Sequence, residues 1–163
     1  MIEDTIREIK QAALEIPVQK IAFSQISSIK GRVSQTSQAL QRNQDLAITF
    51  QKYAEEEQNP KLKARFERNF ERYTKRAESE KQSISQSNEK IAARQEELNN
   101  TEKDISDLQV VQSPIQVLDS LGKLIAAMKN LNQNTEHLEE LYNKLLEELE
   151  ISFTVILEYA VSV

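Results

Sequence analysis

Residues 66–108 read FERNFERYTKRAESEKQSISQSNEKIAARQEELNNTEKDISDL. Counting through this stretch in steps of four and three lands on Phe66, Phe70, Tyr73, Ala77, Glu80, Ile84, Ser87, Ile91, Arg94, Leu98, Thr101, Ile105 and Leu108 without a slip. A repeat of about 3.5 residues, kept over about six heptads, holds one seam of an α-helix against a neighbour and winds the two left-handedly. The pattern specifies long helices packed in coiled-coil fashion; it carries no chemistry of its own.

Working outward, three prolines punctuate the chain at positions 17, 60 and 114. Pro60 follows Glu-Glu-Gln-Asn, and a residue before proline is pushed out of helical geometry while proline suits a first helical turn, so a corner is expected there. Ser113-Pro114 reads as an N-cap followed by proline at the first helical position. Pro17 differs, because apolar residues recur at helical spacing on both sides: Ile2, Ile6, Ile9, Ala13 and Ile16 before it, then Ile26, Ile29, Val33, Leu40, Ala47, Phe50 and Ala54. A kink in one helix is the expectation. Helices at about 2–57, 61–112 and 115–160, joined by two short corners, predict an all-α fold: an elongated antiparallel three-helix bundle, up-down-up, forming one domain over 1–163.

Charge and apolarity refine that plan. The start of the second helix, KLKARFERNFERYTKR, is basic on balance and the stretch EHLEELYNKLLEELE is acidic, so folding back at Pro114 would bring Glu147, Glu148 and Glu150 toward Arg72, Lys75 and Arg76. The same register would gather most aromatics at one tip. Val117, Leu121, Leu124, Met128, Leu131, Leu138, Tyr142, Leu145 and Leu149 form a broad stripe suited to two neighbours. The polar runs 34–38, 83–88 and 130–135 predict a polar waist.

The composition of 163 residues, with 39% hydrophobic, 29% charged and two glycines, fits long helices better than a turn-rich mixed fold. A net charge of -5 argues against general nucleic-acid affinity. The absence of cysteine removes disulfides and thiolate chemistry. His137 is the only imidazole, in an isolated His-x-x-Glu, and a hydrolytic metal site wants at least three convergent ligands. Gly31 and Gly122 are solitary and form no phosphate loop. With no activated nucleophile, the chain is read as a non-enzyme with no catalytic residue, cofactor or metal. The basic, aromatic stretch Lys61–Arg76 invites a nucleic-acid reading, but its aromatics fall on the seam and Glu67 and Glu71 dilute its charge, so it reads as a solvated face.

The segment ISFTVILEYAVSV, residues 151–163, alternates as a strand would, yet no turn residue separates it from the helix before it, so helix is expected. It carries Glu158 and is too short to span a bilayer, and MIEDTIREIKQAALEIP at the start lacks the basic head and continuous apolar stretch of a secretory signal, so the cytoplasm is the expected default compartment, with leaderless export left open. As a helix it has more apolar surface than a bundle tip buries. Ile151, Phe153, Val155, Ile156, Leu157, Tyr159 and Val161 are therefore the candidate partner-binding residues, for a second copy or another helical protein. The alternative is a membrane-active protein, similar in general plan to helical-bundle pore-forming toxins, with this tip in lipid.

Overall fold

The computed structural model describes the backbone of residues 1–162 and the side chains of residues 1–154 and 157. Among them the fold is all-α with no strand, and the helices are α1 (Ile2–Leu14), α2 (Val18–Glu56), α3 (Pro60–Val110), α4 (Pro114–Asn130) and α5 (Glu136–Ser162). The segment after Glu150 continues as helix. The expected corners at Pro60 and Pro114 both form. Asn59 caps α3, its Oδ1 accepting from the Lys61 backbone N–H at 3.0 Å, with Pro60 at the first helical position. Ser113, in extended conformation, precedes Pro114, and its carbonyl accepts from Val117 N–H at 2.9 Å.

The three-rod plan needs correction at two places, giving five helices among the described residues. The helical path bends at Pro17, as expected, but it is also interrupted there. Proline has no N–H for the Ala13 carbonyl, which takes the Ile16 N–H at 3.3 Å instead, and helical bonding resumes with Ile21 N–H on the Pro17 carbonyl at 3.0 Å. The second break divides the expected helix at 115–160. Asn132 adopts φ 58°, its N–H bonds to the Lys129 carbonyl at 2.9 Å, and Gln133 N–H reaches back to Met128 at 3.0 Å. This pair of bonds is a Schellman stop, with asparagine where glycine is usual. Asn134 Oδ1 then accepts from Glu136 N–H at 2.9 Å and starts α5. The run 130–135 is thus a corner and not part of a polar waist.

Contacts gather the chain into two compact units, residues 1–21 with 95–163, and residues 22–94. In the first, α1 packs on α5 and α4, and α4 packs on α5. Lys10 Nζ donates to the Gln109 carbonyl at 3.2 Å while Gln109 Nε2 donates to the Lys10 carbonyl at 3.0 Å, and Gln19 bonds Glu102 at 2.8 Å, so the end of α3 runs antiparallel to α1. Ile9, Leu98, Leu108, Val117, Leu121, Leu124, Leu131 and Leu145 are fully buried here.

The second unit is an antiparallel hairpin of α2 from Ala22 and α3 to Arg94. Phe50 stacks on Tyr73 at 5.6 Å, Tyr53 meets Phe66 at 5.5 Å, and Asn43 bonds Glu80. Its buried apolar side chains are small: Ala47, Ala54 and Ala77, with Ile26 as the exception. Every residue of the α3 ladder is buried or half-buried. A matching ladder runs through α2 at Ala22, Ile26, Ile29, Val33, Thr36, Leu40, Asn43, Ala47, Phe50 and Ala54, again with none exposed. Thr36 and Asn43 hid two steps of that repeat from a reading that looks for apolar residues.

Candidate interaction surface at the end of α5

Helix α5 buries one stripe, Leu138, Leu141 and Leu145, against α1 and α4. Two contacts set its register on α1: the Thr5 hydroxyl donates to the Glu148 carboxylate, 2.9 Å from each oxygen, and Lys144 Nζ lies 3.4 Å from Glu8. Lys129 pairs with Glu139 at 2.7 Å and sets the register on α4. Stepping along these antiparallel registers brings Ile151 level with Ile2 and with Val117. Helix α5 continues to Ser162, so about eight residues, ~12 Å of helix, run past the first residues of both neighbours.

Exposed apolar side chains occur along the chain, Phe23 and Val110 among them, and three of them fall where that support ends: Ile151 is 61% exposed, Phe153 63% and Leu157 50%. Phe153 and Leu157 stand four residues apart and share a face. The other candidates, Val155, Ile156, Tyr159 and Val161, have side chains outside the described residues. Glu147 and Glu150, on the preceding turns, are exposed and Glu148 is half-buried. The surface is therefore an apolar end above a carboxylate collar. What its described apolar side chains can do is bury area, with each Leu, Ile or Phe worth about 1.5–3 kcal/mol when fully covered.

Elsewhere the geometry offers little to a substrate. His137 is exposed, and among the described residues no group of three His, Asp or Glu side chains could hold a metal ion. The break at Pro17 opens a groove of about 590 Å³ lined by Ile16, Pro17, Val18, Glu102 and Ile105, without a nucleophile and base in contact. Asp104 has its carboxyl pKa raised by burial and by Asp107, against the pull of Lys123 and Lys103.

Glu148 accepts from Thr5 in α1, and Arg72 and Arg76 lie over the Tyr73 ring at 5.1 and 5.4 Å from its centre. Thr5 was invisible to a search for apolar periodicity, although it is 1% exposed.

Compared with protein-family models, with curated proteins and with solved structures, the chain matches none. Its function is read from its own residues.

Proposed function

We propose that this protein is a non-enzymatic helical interaction protein that binds a second copy or another helical protein through the apolar end of α5. The observation that supports it most is the exposure of Ile151, Phe153 and Leu157 on a helix that outruns the neighbours covering its upstream turns. Scattered exposed apolar residues are ordinary, but a run of them on an outrunning helix marks a surface for association. We read the 4-3 seams of α2 and α3 as coiled-coil packing that gives the protein its scaffold.

A partner protein fits better than a membrane. No helix is long and apolar enough to cross a bilayer among the described residues, and the carboxylates at 147, 148 and 150 would be repelled by the anionic headgroups of a typical cytoplasmic leaflet. Deletion of residues 151–163 tests the proposal. Helical content by circular dichroism should stay nearly unchanged while the mass by light scattering, or capture of a helical partner, falls. Loss of cooperative unfolding in the truncated chain would assign the segment to the protein's own core. Flotation of the full chain with neutral phosphatidylcholine vesicles, lost on deletion, would favour the membrane-active reading instead.

A further inference from the structure

Two exposed stripes of opposite charge share one spacing. On α3, Lys61, Arg65, Arg68, Arg72 and Lys75 follow each other in steps of four, three, four and three, so they line one face, and all are exposed. On α5, Glu136, Glu140, Asn143, Glu147 and Glu150 follow the same steps and are likewise exposed. Each stripe spans ~21 Å of helix. Neither contains a residue of the other sign.

Among the described residues no ion pair involves either stripe. Ion pairs that form elsewhere include the N-terminal amine and Arg7 with Asp4, Asp119 with Lys123, Glu139 with Lys129 and Glu8 with Lys144. Arg72 lies over the Tyr73 ring. Rows of like charge on a helix face repel along their length, and a facing row of the opposite charge at the same spacing relieves both. Nucleic acid fits the basic row less well, because the chain as a whole carries -5.

We infer that the basic face of α3 docks the acidic face of α5 of a second copy of this chain, a contact separate from the apolar end of α5. Such a contact joins unlike surfaces, so each copy offers one of each. It also depends on salt, as burial of apolar area does not: raising salt from about 50 to about 500 mM screens exposed pairs.

Sedimentation of the full chain across that salt range, with three variants, tests this. Arg65→Glu with Arg72→Glu, and separately Glu140→Lys with Glu147→Lys, should each weaken low-salt association about tenfold or more while leaving helical content intact. An equimolar mixture of the two, in which each copy supplies the face the other lacks, should recover it, as should one chain carrying all four changes. A low-salt mass that ignores both pairs of substitutions overturns the inference while leaving the apolar end untouched, since that contact persists in high salt. Failure of the mixture to recover association overturns it too. A duplex oligonucleotide held by the wild type with steep salt dependence, and lost on Arg65→Glu with Arg72→Glu without any change in mass, would assign the basic face to phosphate.

Discussion

The Thr5 hydroxyl and the Glu148 carboxylate, 143 positions apart in sequence, meet at 2.9 Å and tie the first turn of α1 to α5. Thr5 is 1% exposed, and its Oγ1 also lies 3.1 Å from the Met1 carbonyl, so the hydroxyl's acceptors are both within the protein. A hydrogen bond to an ionised group contributes about 1.5–3 kcal/mol, and a partner left half-buried without its donor adds a desolvation cost. Thr5→Val keeps the shape and removes the proton. It should cost about 2 kcal/mol in urea unfolding, whereas Thr5→Ser should cost less than half of that.

Asn132 ends α4 with φ 58°, where most side chains are strained. Asn132→Gly should leave stability unchanged or raise it by a few tenths of a kcal/mol. Asn132→Val places a branched Cβ in left-handed backbone and should cost about 1–2 kcal/mol, read as a lower thermal midpoint.

Gly31 lies inside α2 in ordinary helical conformation, and a Cβ built there meets nothing within 4 Å. Close packing does not explain this glycine. Gly31→Ala should therefore stabilise the hairpin by about 0.5–1 kcal/mol, detected as slower amide exchange in residues 22–94.

Asp104 holds its proton more tightly in the folded chain than its ordinary carboxyl value of 3.8 would allow, first through burial and then through Asp107. In the window between 3.8 and the raised value, the folded state binds more protons than the unfolded state, so this residue's contribution to stability falls as pH rises through it. Asp104→Asn should raise the urea midpoint at pH 7 relative to wild type, and that advantage should vanish below the window. An unchanged difference between pH 3 and pH 7 would contradict the assignment.

Much of this fold was legible in the residues. The 4-3 ladder from Phe66 to Leu108 marked the covered side of α3 along its whole length, and Asn59-Pro60 and Ser113-Pro114 marked two corners because proline forbids the alternatives. The corner at Asn132 was hidden, since asparagine does glycine's work only when its neighbours complete a Schellman stop, and Asn-Leu-Asn-Gln-Asn-Thr also fits a polar helical turn. The sequence matched the α5 carboxylates by charge to Arg72 and Lys75, and it did not show that Glu148 accepts from an uncharged, buried threonine. Long-range pairing of helices depends on such single polar contacts, which periodicity does not encode. The apolar excess after Glu150 was legible as composition, but where its support ends follows only from the register that Thr5 and Glu8 set on α5.

The central claim, that the exposed end of α5 is an association surface, is tested most directly by the solution mass of the full chain carrying Ile151→Ser, Phe153→Ser and Leu157→Ser together. Because these side chains are 50–63% exposed, the substitutions should leave the thermal midpoint within a few degrees of wild type. Light scattering at high salt should then show the wild type as an oligomer, or bound to its helical partner, and the triple variant as a monomer. A triple variant with the wild-type mass and wild-type partner binding would contradict the account.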